Sequence, residues 1–414
     1  MKSKATLFII VVCFIWQPLT GCSPHSDQFL QPGRQPHLHN VHGAGAQRSD
    51  PKTGNPADYP AGFGPQGDEI RIYNYARCVR GQSNAERPYT IVGTGVGTHY
   101  NNDRLIDAPA PGTPFYGQNA DYPGLMPRYQ SNSNGTVSDL NTGLVWMQSP
   151  GEQKVSYADA IAGAHRNGTG GFHDWRLPTI KELYSLIHFN GRSRERKAYI
   201  DTRYFAFQFG DNRVGDRIID SQYWSATEYV GRVMRNERAV FGVNFADGRI
   251  KAYPPTLPGN RVKLNYALYV RSNRAYGTND FHVNGNNTVT DAATGLTWMQ
   301  SDSGKSMSWQ DALAYCAELD FAGHDDWRLP DPKELQSIVD YDRAPDATEP
   351  GARATAIDPL FAVGDPEAWY WTGTTLLEAP PHLPIGAHAV YISFGQATGY
   401  GPGGNRQHPP PPHD

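Results

Sequence analysis

Polar and apolar residues alternate along Thr136-Val-Ser-Asp139, and an all-apolar stretch, Leu144-Val-Trp-Met147, follows after Leu140 to Gly143. The pattern predicts a β-hairpin in which Leu144 and Trp146 share one sheet face. Asp139 is placed to accept backbone N–H bonds at the start of the turn, and Gly143 to supply a positive φ. The arrangement returns 152 residues later with Asp291, Gly295, Leu296 and Trp298. Ser156-Tyr-Ala-Asp159 and Ser308-Trp-Gln-Asp311 each set an acid three residues after a serine, which predicts a capped helix start. A second helix is predicted after each Trp-Arg-Leu-Pro, capped by Thr179 with Glu182 in the first case and by Asp331 with Pro332 in the second. Leu183, Leu186 and Ile187 give that helix an apolar face, matched by Leu335, Ile338 and Val339. Further on, Ala239 to Phe245 and Ala389 to Phe394 read as strands, and Asp247-Gly248 turns the first of them into Arg249 to Tyr253.

The interval from Trp146 to Trp175 equals that from Trp298 to Trp327, so the two stretches align without a gap as copies of one module. Copy one closes with Tyr266-Ala-Leu-Tyr-Val-Arg271, and copy two has no such strand before the chain ends. Ile70 to Arg80 resembles that closing strand, which predicts that residues 69–81 complete the second copy. Cys13 and Cys22 belong to the amino-terminal region, leaving Cys78, aligned with Tyr269, and Cys316, aligned with Ala164. Copy one therefore lacks both positions, and a Cys78–Cys316 disulfide is expected, with two free buried thiols as the alternative.

Lys2 and Lys4 precede a short apolar run, Leu7 to Trp16, and then Leu19-Thr-Gly-Cys22. A charged start, a short apolar core and small residues before a cysteine make an export signal. Its end resembles a bacterial lipobox, which implies a signal peptide over 1–22 and a lipidated Cys22. With Ser23 rather than Asp at the next position, the same resemblance points to the outer membrane. No later segment has eighteen apolar residues in a row, so lipid would be the only membrane anchor. Residues 23–68 are rich in Pro, Gly, His and Asn and read as a disordered tether. Residues 82–129 read as a connecting segment, and 399–414, with four consecutive prolines, as a disordered tail. A net charge of −4 argues against nucleic acid as a partner.

Asn134-Gly-Thr-Val-Ser-Asp139 with Thr142-Gly-Leu-Val-Trp146, Asp174-Trp-Arg-Leu-Pro-Thr179, Lys181-Glu-Leu183, Tyr223-Trp-Ser-Ala-Thr227 and the closing Tyr-Val-Arg strand resemble the Lcl C-terminal domain family. The resemblance covers 130–272 and 277–398. It implies an α+β fold with two C-type-lectin-like, or formylglycine-generating-enzyme-like, domains in which first and last strands pair. It also implies a surface adhesin whose partner is a sulfated glycosaminoglycan or other glycan, with an envelope protein as the alternative partner. For a polyanion the basic residues of copy one are the natural candidates: Arg192, Arg194, Arg196 and Lys197, then Arg232, Arg235 and Arg238. Guanidinium forks suit anionic oxygens. Trp146, Trp175, Trp298 and Trp327 are expected to anchor the core, with Arg176 and Arg328 bonding backbone or Glu182 and Glu334. No Gly-x-Ser-x-Gly elbow occurs, and the two remaining cysteines have a structural explanation, so no catalytic residue, cofactor or metal is expected. His173-Asp174 and His324-Asp325-Asp326 read as turn residues rather than metal ligands.

Overall fold

The turn chemistry and the capping serines act as local instructions. In the computed structural model, which describes residues 37–234, 236–378 and 383–401, Asp139 Oδ1 accepts from Asn141 N at 3.0 Å and from Thr142 N at 3.3 Å, and Gly143 has φ 70°. Asp291 and Gly295, with φ 82°, repeat the turn.

In chain order the strands are β1 (His39–Asn40), β2 (Gln47–Pro51), β3 (Val79–Arg80), β4 (His99–Tyr100), β5 (Leu105–Ile106), β6 (Tyr129–Ser131), β7 (Thr136–Asp139) and β8 (Val145–Met147). Helices α1 (Tyr157–Arg166) and α2 (Ile180–Ser185) follow, then β9 (Gln222–Glu228), β10 (Val240–Asn244), β11 (Arg249–Tyr253), β12 (Thr256–Leu257), β13 (Arg261–Val262) and β14 (Val270–Arg271). Copy two holds β15 (Phe281–Val283), β16 (Thr288–Asp291), β17 (Leu296–Met299), α3 (Trp309–Ala317), α4 (Pro332–Ser337), β18 (Trp369–Leu376), β19 (His388–Ser393) and β20 (Thr398–Gly399). The fold is mixed, strands with a few short helices, in the α+β class.

Each copy has a four-stranded sheet, ordered β6-β7-β8-β14 in the first and β15-β16-β17-β3 in the second. Val270 pairs with Trp146, and Val79 with Trp298. The amino-terminal strand β3 thus stands in copy two where β14 stands in copy one. Cys78 and Cys316 form a disulfide across that junction, 238 residues apart in sequence. The first and last strands of copy one do not pair: β6 lies against β7 and β14 against β8, at opposite edges.

The second sheet has six strands and joins the copies in the order β18-β19-β2-β11-β10-β9. Val243 pairs with Tyr223 and Ile250, while Ile392 pairs with Tyr370 and Gln47. Strand β2 therefore occupies in copy two the place of β11 in copy one. The expected tether over 23–68 is corrected here, because residues 39–40 and 47–51 are strands, and β2 lies inside the sheet. The sequence Gln-Arg-Ser-Asp-Pro has no apolar alternation because its side chains make polar contacts instead. Arg48 forms an ion pair with Asp68, which also bonds His42 at 2.8 Å. Asp50 Oδ2 accepts from the backbone N–H groups of Arg71 at 3.2 Å and Ile72 at 3.1 Å and from Asn74 Nδ2 at 3.1 Å. These bonds hold Ile72 in a left-handed conformation, φ 64°. The tail also begins inside the fold, since β20 pairs with β1.

On the inner face of the sheet, α2 and α4 pack together and share one apolar core with Tyr223, Phe241, Val243, Ile250, Val390 and Ile392. The Lys of each Lys-Glu-Leu motif crosses to the other copy. Lys181 Nζ donates to Ser337 O at 2.8 Å, at the end of α4, and Lys333 Nζ donates to Ser185 O at 2.8 Å, at the end of α2. Carbonyls at helix ends have no partner within their own helix, so each ammonium satisfies a group otherwise left unbonded. Burial lowers both lysines, each to about 8.

Replacing both Cys78 and Cys316 by Ala should lower stability by about 3–5 kcal/mol on the loop-entropy model, read by urea unfolding without reductant; an unchanged midpoint would contradict the disulfide. A pH effect follows from Asp50, whose carboxyl burial pushes up to about 7. Its folded pKa lies above the unfolded value of about 3.9, so this acid binds a proton on folding, and stability falls as pH rises from about 4 to 7. Asp50→Asn should lack that fall: its stability relative to the parent chain should rise across the interval, and a constant difference would count against it.

Candidate functional site

Three segments distant in sequence form a cleft of about 630 Å³ at the junction of the two copies. The amino-terminal strand supplies His39 and Asn40, the β9–β10 hairpin supplies Arg232, Met234 and Asn236, and copy two supplies Asp346, Thr348, Arg353 and Gln396. The hairpin tip is a tight turn: Val233 and Glu237 exchange backbone bonds at 3.0 and 2.9 Å, and Met234 and Asn236 take φ values of 51° and 68°. Met234 N donates to Asn40 O at 2.8 Å and Thr348 N to Val230 O at 3.0 Å, so backbone bonds fix all three walls.

Asp346 is the hub. Its carboxylate accepts from the Tyr229 hydroxyl, from Asn40 Nδ2 at 2.9 Å and from Arg232 N at 3.4 Å. Burial, with the Asp346 charge beside it, holds the Tyr229 phenol well above its ordinary range, so it remains a donor. Arg232 is half-buried and forms no ion pair among the described residues. Arg353 is exposed and lines the cleft; its Nε donates to Ala347 O at 2.9 Å. Among the described residues the one carboxylate in the cleft is thus already bonded on the protein side, whereas two guanidinium groups, one from each copy, keep donors to spare.

The structure distributes the other basic residues. Arg192 is tied to Glu195 at 2.9 Å and to the Tyr100 hydroxyl at 3.4 Å, in a turn whose Ser193 N–H donates to Glu378 at 2.8 Å. Arg194, Arg196 and Lys197 are exposed on that same turn, and the Arg196 guanidinium lies 5.9 Å from the Phe209 ring. Arg238 pairs with Glu228 at 2.8 Å beside a different cleft. Arg235 and Cys22 lie outside the described residues. Of the basic candidates among the described residues, only Arg232 lines the junction cleft. Arg353, Asn40, Asp346 and Gln396 escaped the sequence reading. Arg353 stands alone among acids in sequence, and the partners of Asn40 are about 190 and 300 residues away.

The motif residues hold the scaffold. Trp146 and Trp298 are fully buried, and Trp175 and Trp327 nearly so, their indole N–H groups bonding Thr169 O at 3.1 Å and Phe321 O at 3.0 Å. Arg176 pairs with Glu182 and bonds Ser272 O, and Arg328 pairs with Glu334 through two 2.6 Å bonds and reaches Gly81 O. Each arginine thereby ties a capped helix to the end of its closing strand. Asp174 and Asp326 pair with Arg271 and Arg80, again equivalent positions. Among the described residues no three His, Cys, Asp or Glu side chains are grouped to hold a metal, and no helix is long and apolar enough to cross a membrane.

The family model for the Lcl C-terminal domain matches residues 135–265 and again 287–408. No curated protein and no solved structure matches the chain. Replacing Asp346 by Ala would leave Tyr229 and Asn40 without their shared acceptor. It should cost about 1–3 kcal/mol in urea unfolding, and a neutral effect would show that the hub is not needed.

Proposed function

The chain belongs to the Lcl C-terminal domain family, and from that premise we propose that it is an envelope lipoprotein whose two copies jointly bind an anionic saccharide. The signal and lipobox pattern ending at Cys22 supports attachment by lipid, at the outer membrane. The observation that carries the ligand class is the junction cleft, where Arg232 and Arg353 line one space with the amides of Asn236 and Gln396. Sulfate and carboxylate oxygens accept the planar fork of a guanidinium, and side-chain amides complete hydrogen bonding to sugar hydroxyls. The chemistry suits holding an anion rather than transforming one, and the partner is read as a glycan, without nucleic acid. Within the α+β class we assign both copies to the C-type-lectin-like group, on the motif order and on the helix that follows each Arg-Leu-Pro.

Retention of the whole chain on immobilised heparin at physiological salt tests the ligand class. Arg232→Ala combined with Arg353→Ala should weaken binding by about tenfold or more, since each charge-assisted bond contributes about 1.5–3 kcal/mol. Arg194→Ala with Lys197→Ala should change it little. Absence of retention by the parent chain would end the anionic-saccharide reading; retention unchanged in the double arginine variant would move the site elsewhere. For the anchor, Cys22→Ser should release the protein from the membrane fraction.

A further inference from the structure

A second cleft, also of about 630 Å³, opens in copy one between the start of α1, the β9–β10 hairpin and the segment after β11. Its walls include Tyr157, Glu228, Glu237, Arg238, Pro255 and Leu257. The register of the two halves of the large sheet identifies the same place in copy two. Val240 pairs with Glu228 and Tyr253, and Ala389 pairs with Thr375 and Asp50. Glu228 therefore corresponds to Thr375, and Pro255, two residues beyond Tyr253, to Lys52, two beyond Asp50. Tyr157 opens α1 behind its cap Ser156, as Trp309 opens α3 behind Ser308.

In copy two that place is filled from within the chain. The Lys52 side chain is buried, and its ammonium lies 3.9 Å from the centre of the Trp309 ring. It donates to Thr375 Oγ1 and to Asn101 O, both at 2.8 Å. Tyr100 and Phe115, from the segment linking β3 to β6, close the space around it. An ammonium on an aromatic face, with oxygen acceptors completing its shell, is a cation–π site. Copy one keeps the aromatic ring and the acceptor position but replaces the lysine by Pro255, and the cleft stays open.

We propose that the cleft of copy one binds a primary alkylammonium group supplied by a ligand, in the place that Lys52 fills in copy two. Tyr157 is the aromatic platform, its ring set 5.5 Å from that of Trp224. Glu228 brings a carboxylate where copy two has a hydroxyl, and Glu237 adds another that has no ion-pair partner among the described residues. Arg238 engages Glu228, but both side chains are largely exposed, 72% and 51%, and such a pair yields readily to a competing cation. The cleft is independent of the junction cleft in ligand charge and in every lining residue.

The whole chain is titrated with n-butylammonium and, separately, with neutral N-butylacetamide, followed by saturation-transfer NMR. Butylammonium should bind and the acetamide should not. Glu228→Gln with Glu237→Gln should weaken binding about tenfold, the scale of one cation–π contact with its charged acceptors. Pro255→Lys should abolish it by supplying an internal ammonium, with the circular dichroism spectrum of the parent retained. Because Glu228 is exposed and Glu237 half-buried, their exchange tests the site even if the Pro255 variant fails to fold. Nα-acetyl-lysine amide binding more tightly than butylammonium would identify a polypeptide side chain as the source; equal affinity would point to a free amine. Equal binding of the acetamide, or butylammonium binding untouched by the glutamate exchanges, would overturn the proposal.

Discussion

The structure depends on a backbone ladder that the chain builds out of sequence order. Strand β2 fits between β19 and β11, and β3 fits against β17, so the amino-terminal segment satisfies hydrogen bonds that copy two cannot satisfy from its own carboxyl-terminal part. Unpaired edges of a sheet expose rows of N–H and C=O groups, a persistent risk of wrong pairing. Here the edge of each copy's half-sheet is closed by the other half, with Ile250 facing Gln47 at the meeting point. The two modules are joined through main chain on one side and through α2 and α4 on the other.

Much of this was legible because its signals are local. An Asx turn, a positive-φ glycine, a Ser-x-x-Asp cap or a Thr-x-x-Glu box needs only neighbouring residues, and Asp139, Gly143, Ser156 and Thr179 can be read without knowing the fold. The disulfide was legible for another reason: duplication supplies an internal control, since copy one has Tyr269 and Ala164 where copy two has Cys78 and Cys316. What escaped was held by long-range polar contacts. Gln47 to Pro51 carries no hydropathic period, and its place in the sheet is set by Asp68, Asn74 and the strands on either side. The junction cleft was hidden in the same way, because Asn40, Arg232 and Arg353 share no segment. The roles of Lys181 and Lys333 needed both copies in view, since each looks like an ordinary exposed helix residue in its own module.

Duplication has also let the copies diverge at equivalent positions while the scaffold stays constant. The arginine of each Trp-Arg-Leu-Pro keeps its glutamate and its closing-strand carbonyl. One divergence lies at the helix starts and beyond the ends of β11 and β2. There one copy carries proline and a β12–β13 hairpin, and the other carries a buried lysine covered by the linking segment. One framework thus presents an open recess and a sealed one.

Donation of β2 and β3 also has a consequence for the order of events during synthesis. The donated strands leave the ribosome first, yet their neighbours β17 and β19 arrive after copy one has been made in full. Copy one has all the residues of its own four-stranded sheet and can assemble while β3, and the edge of β2 that faces β19, wait for their partners. The last step is then the docking of β2 and β3 onto β19 and β17, so segments made before copy one are the latest to become native.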